Sequence, residues 1–235
     1  MKREMVGTVC AKLSEYRGTK EYRLKHTTEE RQTLFNELLD IVYEEDDARQ
    51  MAKKKFAKAI VEDATQYPGF FTSPASAKYH GAYEGGLFDH CMAVYEAALY
   101  ISGAMSYDPS EVDFMACVFH DLCKVGAYKL DKNRSSEEKP VWTYADNDGI
   151  SHGPESLRRL LNSIIELSDQ IMLPITVSLK EVIPSKEWQF AIAQHMGAFG
   201  MNNEDTINYG KNCEKFQEVL ILHTADMIAS KTYGV

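Results

Sequence analysis

Long apolar runs are missing from this chain. Nowhere do apolar residues continue far enough to cross a bilayer, and Met1-Lys2-Arg3-Glu4-Met5 is followed by no apolar signal core. These absences speak against membrane insertion and secretion, and the expected compartment is the cytoplasm. Cysteine is sparse: Cys10, Cys91, Cys117, Cys123 and Cys213 form no CxxC pair, and an odd total suits reduced thiols better than a disulfide framework. Internal repeats, heptad seams and low-complexity tracts are absent too, which excludes solenoids and coiled coils.

What is present is an ordinary globular balance. Of 235 residues, 44% are hydrophobic and 26% charged, enough to bury a real core. The net charge of −9 is uneven: residues 1–26 hold seven Lys/Arg against three Glu, about +4, so the remainder carries about −13. An acidic body repels a long polyanion, so an extended nucleic-acid track is not expected; the basic leader reads as a solvated tail or as an arm that binds such a chain.

Helical periodicity dominates. Thr27-Thr28-Glu29-Glu30 has capping-box spacing, and Leu34, Leu38, Ile41 and Val42 follow at helical intervals, predicting a helix from about Thr28 to Tyr43. A second, from about Asp47 to Tyr67, stops before Pro68. These two read as an N-terminal lid or brace. After a breaker-rich loop carrying Lys78, Tyr79, His80 and Tyr83, helices are predicted at about Leu87–Met105, at Ser110–Lys124 with Ser110 as N-cap, and at Gly153–Met172, Ser185–Gly197 and Asn212–Lys231. Tyr128-Lys-Leu and Val141-Trp-Thr-Tyr can pair as a short hairpin, the only sheet expected. Trp142 and Trp188 read as hairpin or core anchors. The expected class is all-α: a leader and helices over residues 1–66, then one helical domain over residues 67–235.

Histidine carries the chemical signal. His80 lies in the loop, His90 at a helix start, His120 beside Asp121, His152 after a turn, His195 near a helix end, and His223 three residues before Asp226. His120 and Asp121 close the apolar run Phe114 to Phe119; as helical neighbours they diverge, yet can straddle one ion pressed against the helix. His223 and Asp226 share a face of a helix that Val219, Leu220 and Leu222 mark as buried, where a carboxylate needs a cation or strong hydrogen bonds. Imidazole and carboxylate together suit manganese, iron, cobalt or nickel, with zinc or magnesium as alternatives, and such an ion supports hydrolysis. Lys124, one turn beyond Asp121, can hold a phosphate oxygen as a point charge. Cys91, Cys117 and Cys123 read as small core residues rather than ligands.

The order His90, His120-Asp121, Asp226 resembles the H…HD…D pattern of the HD-domain metal-dependent phosphohydrolases, and Asp121-Leu-Cys-Lys124 resembles their D-x-G-K with Cys123 in place of Gly. The likeness covers roughly residues 70–231. Pro74 through His90, Ser151-His152-Gly, Gln194-His195-Met-Gly and Leu222-His223-Thr-Ala-Asp226 are similar to motifs of the YhaM-type 3′-end exoribonucleases. The resemblance implies an HD-domain helical bundle in which His90, His120, Asp121 and Asp226 ligate a first metal. It also implies that Asp121 can bridge to a second ion, with His152 and His195 as the extra histidines of two-metal members. Two departures stand out. Gly81 replaces the second histidine that follows the position of His80, and residues 1–66 read as helices rather than the OB-type strand module of those nucleases.

The expected function is therefore hydrolysis of a nucleotide phosphoester or phosphoanhydride by metal-activated water, with Asp121 and Lys124 as catalytic residues. Lys78, His80, Arg158 and Arg159 are the candidate substrate contacts, although loop packing for His80 and a solvated helix face for the arginines are the plain alternatives. Tyr79 and Tyr83 can stack a base or pack the loop. End-trimming of RNA or DNA, or a non-catalytic nucleotide-binding regulator, are the alternative functions. Expected partners are a nucleotide or short oligonucleotide and no membrane; self-association is left open.

Overall fold

The computed structural model describes residues 1–19, 25–62, 66–136, 140–145, 152–199 and 201–235. Helix dominates it. In chain order the elements are α1 (Val6–Arg17), α2 (Thr28–Val42), α3 (Ala48–Glu62), α4 (Gly86–Ala104), α5 (Phe114–Phe119), β1 (Tyr128–Leu130), β2 (Trp142–Tyr144), α6 (His152–Leu167), α7 (Leu179–Val182), α8 (Lys186–Gln194), α9 (Asn203–Lys215) and α10 (Gln217–Met227). Among the described residues the only sheet is the antiparallel β1–β2 pair, and no helix is long and apolar enough to cross a membrane.

The centre of the molecule is α4. Apolar residues surround its whole circumference from Leu87 to Leu99, so it is buried on all sides instead of along one stripe. It packs against α1, α5 and α10; α8 in turn lies against α10 and α6, and α3 lies against α6 and α7. The expected capping box opens α2: Glu30 N–H donates to Thr27 Oγ1 at 3.2 Å and Thr27 N–H donates to Glu30 Oε2 at 2.7 Å. Leu34, Phe35, Leu38, Leu39 and Val42 then face the core.

The structure departs from the sequence expectation in three places, each with a local cause. The basic leader is not a solvated tail: residues 6–17 form α1, which buries Val9, Cys10 and Leu13. Two cations of α1 pair with acids of the body, Arg17 with Glu96 at 2.7 Å and Lys12 with Glu37 at 2.6 Å. Next, the single helix expected over Ser110–Lys124 is broken. Asp108, not Ser110, caps a 3₁₀ turn at Pro109–Glu111; Asp113 then caps the six-residue α5 by accepting from Ala116 N–H at 2.9 Å, and another 3₁₀ turn spans Leu122–Lys124. Finally, the helix expected over Asn212–Lys231 is two helices divided at Phe216, whose extended backbone (φ −128°, ψ 106°) ends α9. α9 buries none of its residues, so no apolar stripe announces it; Asn202, accepting from Asp205 N–H at 2.9 Å, starts it. All five cysteines are free, as expected.

Candidate metal centre

Helix endings aim the site. α5 stops at Phe119, His120 is its C-cap, and Asp121 leaves helical geometry (φ −113°, ψ 23°). In an unbroken helix the two neighbours would point about 100° apart; the break brings both side chains to one place. His195 is likewise the C-cap of α8. His90 comes from the second turn of α4 and Asp226 from the end of α10, so four separate segments converge.

The hydrogen bonds behind the rings fix which nitrogen faces inward. Nδ1 of His90 lies 2.9 Å from the carbonyl of Val235, Nδ1 of His120 lies 2.8 Å from that of Cys117, and Nδ1 of His195 lies 2.8 Å from that of Ile192. A carbonyl only accepts, so each Nδ1 carries the hydrogen, and it is Nε2 that is left to face inward, with a lone pair whenever the ring is unprotonated. This is the arrangement that orients metal-binding histidines.

Those lone pairs meet carboxylate oxygens. His90 Nε2 lies 3.1 Å from Asp226 Oδ1 and 3.5 Å from Asp121 Oδ2; His120 Nε2 is 3.4 Å from Asp121 Oδ2, and His195 Nε2 is 3.4 Å from Asp121 Oδ1. All three Nε2 atoms and both Asp121 oxygens are buried without an aligned hydrogen-bond partner. Acceptor facing acceptor in a buried space is costly, and either protons on the rings or one shared metal ion relieves it. Bonds of about 2.1 Å to one ion give ligand separations of about 3.0 Å in an octahedron and about 3.4 Å in a tetrahedron, the range found here. Ligand atoms of His90, His120 and Asp226, and of His120, Asp121 and His195, lie within 4.8 Å of one another as two groups sharing His120. Three imidazoles and two carboxylates suit a divalent transition metal, and the residues present fit one.

Electrostatics agree. Burial works against the Asp121 carboxylate, but Lys124, His120 and His195 outweigh it and hold its pKa far below the usual range. Burial likewise opposes Asp226, whose pKa is nevertheless lowered by His90, His195 and His120. His120 is pushed down to about 3, chiefly by burial, against the pull of Asp121. His195 is raised: burial opposes its charge, but Asp121 and Asp226 win. A proton at His195 thus gains the same stabilisation that a metal ion would compete for.

The remaining sequence candidates divide. Lys124 is buried with Nζ 2.6 Å from Asp121 Oδ2, so its charge is committed to the ligand carboxylate here. His80 joins the site, its ring centroid 4.9 Å from that of His90 and its Nε2 buried without a partner; burial, then the charges of His90 and Lys124, push it down to about 4. Lys78, two residues earlier, is exposed and is not in the cluster. His152, expected as a ligand, is in neither ligand group: its Nδ1 sits 3.5 Å from Cys123 Sγ. It is nonetheless held close to the α8 terminus, because a Cβ on Gly153 would fall 2.3 Å from the Ala193 carbonyl oxygen. Arg158 and Arg159 both bind Glu155, at 2.7 Å each, and Arg159 also donates to the Val125 carbonyl at 3.2 Å. Gly81 has φ +56° and would place a Cβ 2.7 Å from Ala75 Cβ, so a histidine is sterically barred there.

Sequence reasoning missed the supports. Asp89, beside His90, is buried and accepts from Tyr16 Oη at 2.7 Å, Tyr83 Oη at 3.0 Å and Arg31 Nε at 3.0 Å. It ties α1, α2 and the loop to the first turn of α4. Tyr83 thus braces the loop through its hydroxyl. The available signal was an acid inside the apolar run of α4, which requires a partner. His223 is a brace: its Nδ1 donates to the His195 carbonyl at 2.7 Å. Set against known proteins, the chain matches no family model, no curated protein and no solved structure.

Proposed function

We propose that this chain is a metal-dependent phosphohydrolase of HD type that cleaves a phosphoester or phosphoanhydride of a nucleotide. The observation that supports the reading is the convergence of three imidazoles and two carboxylates in a largely buried space, with Nε2 of each ring and both Asp121 oxygens lacking a hydrogen-bond partner that one metal ion would supply. His90, His120, Asp121 and Asp226 would hold the ion, with His195 completing a second group around Asp121. When bound, a divalent ion supplies acidification of a water and polarisation of a phosphoryl oxygen.

The chain's own residues do the rest. Lys124 brings a fixed positive charge to the edge of the site, held on Asp121 until a phosphate oxygen competes for it. His80, kept neutral by burial, offers an uncommitted Nε2 beside His90 for a substrate oxygen or hydroxyl. Pairing of Arg17 and Lys12 with body carboxylates argues against a strand-binding arm, and so against processive end-trimming of RNA.

The test joins metal content to turnover. Purified protein is expected to contain transition metal by elemental analysis, and His120→Ala and Asp121→Ala to lose it. Manganese-loaded protein is then screened against nucleoside mono-, di- and triphosphates, cyclic dinucleotides and short RNA. Equal metal in all three proteins would refute the centre; full metal without hydrolysis of any substrate would make the protein a binding regulator.

A further inference from the structure

One face of the β1–β2 ribbon carries large side chains that neither the core nor the metal centre uses. Pairing sets Tyr128 opposite Tyr144 and Leu130 opposite Trp142. Opposed residues share a face in an antiparallel pair, so these four stand together, with Lys129 and Thr143 on the other side. The tyrosine ring centroids are 5.1 Å apart. Tyr144 is 58% exposed and Leu130 40% exposed, while the Trp142 indole nitrogen is buried with no hydrogen-bond partner. A two-stranded ribbon is marginal in water, and its exposed aromatic area favours a flat occupant.

The ribbon is joined to the site by short hydrogen bonds. Ala127 N–H donates to the Lys124 carbonyl at 3.1 Å, and Ala145 N–H donates to the Ala127 carbonyl at 2.9 Å. Tyr128 therefore begins one turn beyond Lys124, near enough for the charges of Lys124 and Asp121 to act on its phenol.

Resting on the hydrolase reading, we infer that Tyr128, Tyr144 and Trp142 form a base-stacking platform that seats the nucleobase of the substrate while its phosphate lies at Lys124. Aromatic faces accept any base, because every base has a π face. The platform makes base-bearing phosphates preferred ligands over base-free ones of equal charge.

Binding of adenosine 5′-monophosphate and of ribose 5-phosphate to the metal-loaded, full-length protein is measured by calorimetry. The nucleotide is expected to bind about tenfold more tightly or better. Tyr144→Ala, at an exposed ribbon position, is expected to remove most of that preference without altering ribose 5-phosphate affinity, and Tyr144→Phe to restore it. Equal affinities for the two ligands in wild type, or an undiminished preference in Tyr144→Ala, overturn the platform. So does sedimentation showing a wild-type dimer that Tyr144→Ala dissociates while nucleotide preference is retained, since the face is then a self-contact. A base preference in a protein that hydrolyses nothing sustains the platform and removes the hydrolase reading; hydrolysis without any base preference does the reverse.

Discussion

Replacing Asp89 by alanine is expected to destabilise the fold by about 3–5 kcal/mol, because it strands a buried cation. Arg31 is 4% exposed and its guanidinium faces Asp89 through Nε at 3.0 Å and Nη2 at 3.3 Å. The same carboxylate takes the hydroxyl hydrogens of Tyr16 and Tyr83, and water has little access to replace it. At about 2–4 °C per kcal/mol for a chain of this size, the melting midpoint should fall by about 6–20 °C. Thermal unfolding followed by circular dichroism measures it. The double variant Asp89→Leu with Arg31→Leu removes both charges and should recover most of the loss, since the penalty lies in the unpaired charge. Tyr16→Phe, losing one hydrogen bond, should cost about 1 kcal/mol. An Asp89→Ala midpoint within a degree of wild type, or a double variant no better than the single, would refute the reasoning.

Three other expectations follow from the same geometry. Lys124→Ala should keep its metal by elemental analysis yet lose about 10²–10³ in kcat, because its charge acts where the phosphoryl group gains charge; loss of metal instead would make it a structural partner of Asp121. Glu155 is held down to about 2, first by its hydrogen bond from Arg158 and then by Arg159. Its contribution is thus fully present above the ordinary glutamate range near 4.5 and lost as pH falls toward about 2, so the melting difference between wild type and Glu155→Gln should be constant from pH 7 to 5 and shrink at pH 4 and 3. Deleting residues 1–26 should lower the midpoint steeply instead of leaving it unchanged, because it uncovers the α1 side of α4 and leaves Glu96, 0% exposed, without Arg17; an intact midpoint would show α1 to be dispensable.

Local rules made much of this chain legible from its residues. The capping box at Thr27, the apolar spacing of α2 and the hairpin strands at 128–130 and 142–144 depend on neighbours within a few positions, and they fall where periodicity puts them. That His90, His120, Asp121, His195 and Asp226 gather in one place was legible too, because histidine and aspartate at helix ends beside apolar runs have few structural uses. α9 was invisible for the opposite reason: a helix with no buried residue carries no periodic signal. The breaks after Phe119 and Gln194 depend on tertiary packing, since side chains can leave the helix and meet only where α4, α8 and α10 surround them. Which histidine lies inside was likewise undecided by spacing. His195 enters one of the clusters and His152, against Cys123 Sγ, does not.

Composition alone made residues 1–26 look like a free basic arm, since charge counts ignore partners; the fold makes Val6–Arg17 of them a structural helix, with Glu96 and Glu37 opposite Arg17 and Lys12. Asp89 shows the same division. Its place before His90 is written in the chain, but its role needs Tyr16 and Arg31, 73 and 58 residues away. The inward lone pair of His90 depends on a carbonyl 145 residues distant. Sequence determines which groups are present and what each helix turn can do; only tertiary contact decides which lone pairs face one another, because the bonds that orient them cross the whole length of the chain.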